Sequence, residues 1–484
     1  MKNTGKQKAR LPFSRVHFIG IGGVGMSGIA LVLHEHGVCV TGSDLKESKY
    51  VRVLKHHNIE VCLGHEAVTI DTFNPEIVVV STAIPETNPE LQRARELGLE
   101  IWPRAKMLST LARSKKTIAI AGTHGKTTTS SMTAEMLGNL GLDPSFLIGG
   151  TVERFQTNGH DGNGELYVAE ADESDGSFLL LEPQIIVVTN IEADHLDHYG
   201  TLENIEKTFV AFMRSASEGG TVIVCGDLPR LVELANQALE EARAKGINLT
   251  LLTYGTSEEN DFVVHPLKHA HSLMSEAEVS APQNKTLKVS LKGNPGDHNL
   301  LNATAALVIA QALGLSLEAA AEAVSQFAGV KRRFTHIGDV AGITVVDDYG
   351  HHPTEIAATL KAAAGLDFKR VIAVFQPHRY TRTQDFQVEF GTAFDAADVV
   401  RIMDVFSAGE MPIPGISEKT IVESIKERGH VADVSAIGGH AETIEELCNF
   451  CKEGDLLMTM GAGDVTLVGP AFIEEKTRRL KGGA

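Results

Sequence analysis

The segment TIAIAGTHGKTTTSSM, residues 117–132, passes from an apolar run through a glycine-containing turn into a stretch of helical character. Phosphate-binding loops require this succession of strand, loop and helix, because backbone N–H groups and the helix N-terminus then point at the anion. Lys126 adds a mobile cation, and Thr127 adds a hydroxyl suited to Mg²⁺. The pattern G-x-x-G-K-T, which starts at Gly122, is a shortened variant and favours an ATP site over a glycine-rich turn with a solvated lysine.

Around this segment, β-branched runs alternate with helical patterns in three successive blocks, which predicts an α/β protein. We expect a Rossmann-like domain over residues 1–109, a central P-loop ATPase-type domain over 110–327 and a C-terminal Rossmann-like domain over 328–484. The length of 484 residues supports several domains, since single cores stop growing at about 250–300 residues. Domain closure would then use hinges near residues 110 and 328.

The composition limits the class of partner. A formal net charge of −18 argues against binding to nucleic acid or an anionic membrane surface, which depends on Lys and Arg. The run Val16–Leu33 has no Lys, Arg, Asp or Glu and resembles a membrane span, but its five glycines favour a strand, a loop and a helix. Of the five cysteines, only Cys448 and Cys451 are closely spaced, and a zinc site would need a second such pair. We expect a cytoplasmic protein.

A second glycine-rich segment, FIGIGGVGMSGIA at residues 18–30, has the glycine spacing of dinucleotide-binding loops. Asp44 lies at the end of the next predicted strand, where dinucleotide enzymes bind the ribose. A nicotinamide-dependent oxidoreductase is therefore an alternative, although no obvious hydride-transfer pair accompanies the loop. Any pyrophosphate can bind at such a helix N-terminus, so the spacing alone does not identify the ligand.

Acidic residues follow two further predicted strands of the central block. LYVAEADESD presents Glu170, Asp172 and Glu173, and VVTNIEADHLDHYG presents Asp194 and His195. Parallel strands collect their ligands at their carboxyl ends, and Mg²⁺ prefers oxygen ligands. Two such clusters beside a phosphate loop favour a metal–nucleotide site over a set of solvated loop acids.

Seven segments together, GTHGKTTT, AEADESDGSF, TNIEADHLDHYG, GDHNLLNATAA, KRRF, DDYGHHPTE and FQPHRYTR, resemble the Mur ligases, the ATP-dependent amide-forming enzymes of peptidoglycan precursor synthesis. The resemblance covers nearly the whole chain in the expected order. Within the family, His124 and the opening HFIGIGGVGMSGIA resemble the members that join L-alanine to UDP-N-acetylmuramate. The murein-tripeptide ligases share this histidine and are the nearest alternative. A non-enzymatic UDP-sugar sensor is a further one.

The resemblance implies that the first loop binds the diphosphate of a UDP-sugar, that the second binds ATP and that the third domain brings the amino acid. The residues implied for the UDP-sugar are Gly22, Gly23, Gly25, Ser27, Ser43, Asp44, His65, Ser81, Thr82, Ala83 and Ile84. Those implied for ATP are Gly122, Thr123, His124, Gly125, Lys126, Thr127, Thr128, His298, Asn299, Asn302, Arg332 and Asp348. Those implied for L-alanine are Tyr349, His351, Arg379 and Arg382.

The catalytic residues implied by the resemblance are Lys126, His124, Glu170 and His195, with two Mg²⁺ ions held by Thr127, Glu170 and His195. By residue chemistry alone, His195 is an unusual ligand for a hard cation. The resemblance also implies an acyl-phosphate intermediate, release of ADP and phosphate, and UDP-N-acetylmuramate and L-alanine as substrates. We expect a monomer or a weak homodimer.

Overall fold

The computed structural model describes residues 11–81, 83–174, 176–267 and 273–482. Thr82, which the resemblance places in the UDP-sugar site, lies outside the described residues. The described chain is an α/β protein with three sheets of five, ten and six strands. The predicted fold class, three α/β domains in succession, is confirmed.

The first sheet is parallel and has the strand order β3-β2-β1-β4-β5. Its strands are β1 (Arg15–Ile19), β2 (Cys39–Asp44), β3 (Glu60–Leu63), β4 (Ile77–Val80) and β5 (Glu100–Pro103). Its helices are α1 (Val24–Glu35), α2 (Lys49–His56), α3 (Ala67–Phe73), α4 (Pro89–Glu96) and α5 (Arg104–Ala112). The strand order reverses between β1 and β4, and ligands of open α/β sheets bind at such a switch point. The first glycine loop begins there.

The second sheet has the order β15-β14-β13-β12-β11-β10-β6-β9-β7-β8. Its strands are β6 (Lys116–Ala121), β7 (Ser145–Val152), β8 (Thr157–His160), β9 (Leu166–Glu170), β10 (Ile185–Val188), β11 (Thr221–Cys225), β12 (Thr250–Gly255), β13 (Phe262–Leu267), β14 (Met274–Ala281) and β15 (Lys285–Lys292). Its helices are α6 (Lys126–Asn139), α7 (Leu196–Tyr199), α8 (Leu202–Arg214), α9 (Pro229–Arg243), α10 (Asp297–Ala312) and α11 (Leu317–Val324). Strand β6 lies between β9 and β10, so the carboxyl ends of all three converge.

The third sheet has the order β16-β17-β21-β18-β19-β20, and only its edge strand β16 is antiparallel to its neighbour. Its strands are β16 (Thr335–Val340), β17 (Ile343–Asp348), β18 (Arg370–Phe375), β19 (Val399–Met403), β20 (Asp433–Gly438) and β21 (Asp455–Met460). Its helices are α12 (Pro353–Ala364), α13 (Tyr380–Asp385), α14 (Gln387–Ala393), α15 (Glu418–Arg428), α16 (His440–Phe450) and α17 (Val468–Gly482). The side chains of Cys448 and Cys451 are buried in its core.

The chain packs into two compact units, and the main change from the first unit to the second falls between Phe327 and Ala328. The first unit contains the first sheet and most of the second, and the second unit contains the third sheet. The domain boundaries at residues 110 and 328 stay a prediction. Within the described residues, no helix has both the length and the apolar character needed to cross a bilayer.

In the first unit, helix α1 of the first sheet packs against strands β7 and β8 of the second. Gly28 and Gly159 let the two backbones meet, because a Cβ on Gly159 would lie 2.5 Å from the carbonyl oxygen of Gly28. The Asn158 side chain donates a hydrogen bond of 2.9 Å to the carbonyl of Val24, in the first turn of α1. At the other end of α1, Glu35 accepts a 2.7 Å hydrogen bond from the backbone N–H of Asp161, the residue directly after β8. The second sheet therefore holds α1, and with it the first glycine loop, in place.

Candidate active site

The second glycine loop connects β6 to α6 through backbone conformations that favour glycine. Gly122 has a φ of +129° and Gly125 a φ of +81°. A Cβ on Gly122 would lie 2.2 Å from the hydroxyl of Thr189, and one on Gly125 would lie 2.8 Å from the side-chain oxygen of Asn302. Both positions therefore require glycine, and the loop delivers the chain directly to the N-terminus of α6 at Lys126. The structure confirms the predicted strand, loop and helix.

Lys126 folds back over this loop. Its Nζ donates to the carbonyl of Gly122, to the carbonyl of Thr123 at 3.2 Å and to Glu173 Oε1 at 2.8 Å. Burial alone would lower the pKa of Lys126, but the carboxylates of Glu173 and Asp172 raise it above its ordinary value. Burial raises the pKa of Glu173, although Lys126 opposes this shift. The ammonium is thus fully charged and lies among the oxygens of a loop shaped for phosphate.

Thr127 and Glu170 lie side by side at the edge of the sheet. Thr127 Oγ1 donates to Glu170 Oε1 at 2.9 Å, and the N–H of Gly149 donates to Glu170 Oε2 at 2.6 Å. A hydroxyl and a carboxylate in contact at a phosphate loop form the oxygen donor set that Mg²⁺ takes, with water and phosphate completing its coordination. These two side chains therefore fit the predicted ion. Thr128, the next predicted ATP ligand, is buried.

Two residues that follow β10 hold His124, one at its backbone and one at its side chain. Its backbone N–H donates to Asn190 Oδ1 at 2.8 Å, and its Nε2 lies 3.3 Å from Glu192 Oε2. The N–H of Glu192 donates to the hydroxyl of Thr123 at 2.8 Å. The end of β10 thus fixes the tip of the phosphate loop. Helix α10 also contacts this region, since the hydroxyl of Thr129, in the first turn of α6, donates to Asn302 Oδ1 at 3.1 Å.

His195 lies at the N-terminus of the short helix α7 with a φ of +53°. Its Nε2 is 3.8 Å from Asp194 Oδ2, and its N–H donates to Asp194 Oδ1 at 2.8 Å. Its described contacts do not include Thr127 or Glu170. Its role as a ligand of a second ion stays a prediction.

The first glycine loop is closed by the end of β2. The N–H groups of Gly20 and Ile21 donate to the carbonyl of Ser43 at 2.9 and 3.0 Å. The N–H of Gly22 donates to Asp44 Oδ2 at 2.8 Å. A Cβ on Gly22 would lie 2.7 Å from the side chain of Val51, so glycine is required for this close approach. Asp44 thus shapes the loop itself, in addition to its predicted contact with the UDP-sugar.

The remaining residues predicted for the UDP-sugar surround this loop. A Cβ on Gly20 would lie 3.1 Å from Ile84 and 3.9 Å from the Ser81 hydroxyl, which places the turn after β4 beside the loop. Gly23 caps α1, and the side chain of Ser27 is buried with its hydroxyl donating to a backbone carbonyl of α1 at 2.9 Å. Ala83 is exposed.

Beneath the loop lies a buried polar cluster that the sequence did not predict. Glu90 on α4 accepts a hydrogen bond from the Ser43 hydroxyl, and its Oε2 is 3.3 Å from His65 Nδ1 and 3.8 Å from His17 Nε2. Burial alone would raise the pKa of Glu90, but the contacts with His17 and Ser43 hold it below its ordinary value. Two residues predicted for the UDP-sugar, Ser43 and His65, are therefore oriented by one carboxylate.

In the second unit, Arg332 and Asp348 flank the end of β17. Arg332 Nε donates to Asp347 Oδ2 at 3.2 Å, and Asp348 accepts from the N–H groups of Phe334 at 2.8 Å and Gly350 at 2.7 Å. Burial raises the pKa of Asp348.

The two predicted ATP ligands that open α10 are held locally. The Asn299 side chain donates to the carbonyl of Pro295 at 3.0 Å. His298 is half-buried, and the loss of solvent around its ring lowers its pKa to about 4 and keeps the imidazole neutral. A neutral ring has one donor and one acceptor nitrogen, which suits a base or a ribose hydroxyl.

The predicted alanine ligands occur in two segments of the second unit. The rings of Tyr349 and His351 are 5.3 Å apart, and His351 is 6.0 Å from His378. Burial lowers the pKa of His378 to about 4, and the charges of Arg382 and Arg379 add to the shift. The structure thus brings the aromatic pair close to the arginine segment through His378, which directly precedes Arg379 and which the sequence analysis did not assign.

The sequence analysis placed Glu173 among the strand-end acids but did not predict its pairing with Lys126, and it missed Asn190 and Glu192, which hold His124. Their signal was their position directly after β9 and β10, because residues at the carboxyl ends of neighbouring parallel strands meet at one edge.

Comparison with known protein families agrees with this architecture. Residues 15–116 match the domain described as "Mur ligase family, catalytic domain", residues 120–310 the "Mur ligase middle domain", and residues 332–463 the "Mur ligase, glutamate ligase domain".

Full-length relatives give the same result. The chain is 45% identical to a UDP-N-acetylmuramate–L-alanine ligase of Mesorhizobium japonicum over 93% of this chain and 95% of that protein. It is 43% identical to the protein of the same name from Brucella anthropi over 98% and 100% of the two chains. The crystal structure of a UDP-N-acetylmuramate–alanine ligase from Thermotoga maritima superposes with a TM-score of 0.78 at 28% identity, covering 96% of this chain and 99% of that one. The chain belongs to the Mur ligase family.

Proposed function

We propose that this protein is an ATP-dependent ligase that joins L-alanine to the lactyl carboxylate of UDP-N-acetylmuramate in the synthesis of peptidoglycan precursors. The observation that carries the proposal is the glycine loop on which Lys126, Thr127 and Glu170 meet, in a chain 45% identical to a relative named for this activity. The first glycine loop, shaped by Asp44, supports a diphosphate-bearing substrate. The reaction takes place in the cytoplasm, where we propose that the enzyme is a monomer or a weak homodimer.

The chemistry starts with a carboxylate, which is a poor electrophile until one of its oxygens becomes a leaving group. The lactyl carboxylate attacks the γ-phosphorus of ATP, which releases ADP and forms an acyl phosphate. Both reactants are anionic, so cations must offset their repulsion. Lys126 supplies one charge at the β- and γ-phosphates, and His124, oriented by Glu192, binds near the carboxylate.

In the second step the amine of L-alanine attacks the acyl carbon, and a tetrahedral intermediate collapses to the amide with loss of phosphate and of a proton from nitrogen. Arg379 and Arg382 bind the alanine carboxylate, for which their planar guanidinium groups are suited. Tyr349 and His351 line the position of the alanine side chain. Because the ring of His378 is neutral, the positive charge that binds the alanine carboxylate comes from the two arginines.

Mg²⁺ fits the donor set of Thr127 and Glu170, and its chemistry would be to neutralise charge on the β- and γ-phosphates. We propose two such ions, with His195 as a ligand of the second. Asn302, His298 and Asn299 bind the base and ribose of ATP, together with Arg332 and Asp348.

The test is phosphate release with the components omitted one at a time. We expect release only when ATP, Mg²⁺, UDP-N-acetylmuramate and L-alanine are all present, followed by detection of the amide product by mass spectrometry. A panel of amino acids, with the UDP-sugar fixed, sets the specificity, and a murein tripeptide offered in place of alanine distinguishes the related ligases. Equal ADP formation without any amino acid would overturn the proposal.

A further inference from the structure

The first glycine loop has no cation of its own. The run Val16–Leu33, which contains this loop and most of α1, has no Lys or Arg. A diphosphate carries two negative charges, and a helix N-terminus offers only about half a positive charge. Diphosphates in proteins are commonly bound by Arg or Lys in addition to backbone N–H groups. A cation that adds to the backbone N–H groups of this loop would therefore come from another part of the fold.

The fold brings Arg104 to this position. Arg104 begins α5 directly after β5, and its guanidinium lies against the first turn of α1 at Gly25. A Cβ on Gly25 would be 2.6 Å from Arg104 Nη1, 3.5 Å from its Cδ and 3.7 Å from its Cζ, and these are the three nearest atoms. The arginine side chain thus packs directly on the third glycine of the loop. The guanidinium lies at the helix N-terminus where a diphosphate would bind.

The same guanidinium also faces the acidic segment that follows β9. Arg104 Nη2 lies 4.0 Å from Asp172 Oδ2, and the two side chains are 30% and 45% exposed. Asp172 belongs to the segment after β9 that also carries Glu170 and Glu173. An ion pair this long and this exposed holds its partners weakly, so that an incoming anion can compete for the guanidinium.

We propose that Arg104 is the cation that binds the diphosphate of the UDP-sugar, and that its guanidinium exchanges the weak contact with Asp172 for the phosphate oxygens when this substrate binds. The inference rests on the proposed function, because it takes a UDP-sugar as the ligand of the first loop. It assigns to α5 a binding residue that neither glycine pattern contains. The guanidinium presents its N–H groups to neighbouring phosphate oxygens as a planar, fixed fork, whereas the three donors of an ammonium have no such fixed geometry.

The test compares Arg104→Met with Lys106→Met. Lys106 is the matched control, since it lies two residues further along α5, but its ammonium is directed elsewhere, 4.0 Å from the centroid of the Trp102 ring. We expect Arg104→Met to raise the KM for UDP-N-acetylmuramate by about 10- to 100-fold, the range for losing a hydrogen bond to a charged group. In Arg104→Met, the KM values for ATP and L-alanine should stay within about twofold of those of the unmodified enzyme, and kcat should change less than the KM for the sugar nucleotide. Arg104→Lys should recover only part of the lost affinity for the sugar nucleotide.

Equilibrium binding provides a readout that a general disturbance of the fold would not reproduce. By calorimetry, UDP should bind more weakly to Arg104→Met than to the unmodified enzyme, whereas uridine, which lacks the diphosphate, should bind equally to both. Unchanged UDP affinity, an equal loss for uridine, or the same loss in Lys106→Met would each overturn the proposal. If the unmodified enzyme released no phosphate with all substrates present, the proposed ligase function would fail, while the comparison of UDP with uridine would still decide the role of Arg104.

Discussion

Replacing Lys126 with Met should cost both stability and turnover, and the structure separates the two effects. The ammonium of Lys126 lies 2.8 Å from Glu173 Oε1, and the two side chains are 15% and 5% exposed. Among the residues that the structure describes, none is a hydrogen-bond partner of the second, buried oxygen of Glu173. Lys126→Met therefore removes the counter-charge that the structure gives to this buried carboxylate, a change that destabilises folded proteins by about 3–5 kcal/mol. We expect about 3 kcal/mol, because protonation of Glu173, whose pKa burial already raises, relieves part of the penalty.

This loss corresponds to a fall in the melting temperature of about 6–12 °C, at about 2–4 °C per kcal/mol for a unit of this size. The double variant Lys126→Met with Glu173→Gln removes both charges and should recover most of the lost stability. Turnover should not recover, since the positive charge at the phosphates is absent from both variants. We expect kcat to fall by about 10²- to 10³-fold, as when one charge-stabilising group is removed from an active site.

The assays are thermal unfolding followed by circular dichroism and phosphate release at saturating substrates. The stability deficit of Lys126→Met should shrink as the pH falls, because a protonated Glu173 needs no counter-charge. Full turnover in Lys126→Met would refute the assigned role of the lysine. A double variant no more stable than the single one would refute the assigned cause of the instability.

Three further outcomes are expected. Gly159→Ala should lower the free energy of unfolding by about 1–3 kcal/mol, because the new Cβ would lie 2.5 Å from a backbone oxygen of α1. Gly365→Ala is the control, since its Cβ would lie 3.4 Å from the nearest atom, and it should change the free energy of unfolding by less than about 1 kcal/mol. Urea denaturation of the two variants provides the comparison. His160 Nδ1 lies 3.0 Å from a carboxylate oxygen of Glu35, and this contact raises the pKa of His160 above its value in the unfolded chain. The contact therefore stabilises the fold fully at pH values below the unfolded pKa, and this stabilisation is lost as the pH rises through the folded pKa. Stability measured against pH should therefore decline more on the alkaline side in the unmodified enzyme than in His160→Gln, and parallel curves would contradict this. Glu90→Ala should weaken UDP-sugar binding and lower the unfolding free energy by about 1–3 kcal/mol, while a variant with unchanged affinity would show that the cluster does not orient the site.

Much of the candidate site could be predicted from short segments. GTHGKTTT identifies a phosphate loop because its glycine positions and its lysine are local properties of the chain. The contact between Thr127 and Glu170 follows once the loop after β6 carries Thr127 into the first turn of α6 and Glu170 is placed at the carboxyl end of β9, the strand beside β6. Glu170, Asp172 and Glu173 are chemically equivalent in the sequence, however. Only the packed sheet pairs Glu173 with Lys126 and leaves Asp172 facing Arg104.

The sequence by itself determined the alternation of strands and helices, the two glycine loops and the family. These depend on side-chain periodicity and on backbone conformations that few residues adopt, both of which act over a few neighbouring positions. The tertiary structure alone decided which cation reaches the first loop, which carboxylate lies beneath Ser43, and that α1 packs against β8 through Gly28 and Gly159. Such contacts join segments far apart in the chain, and they depend on sheet order and on angstrom-scale clearances that no local pattern encodes.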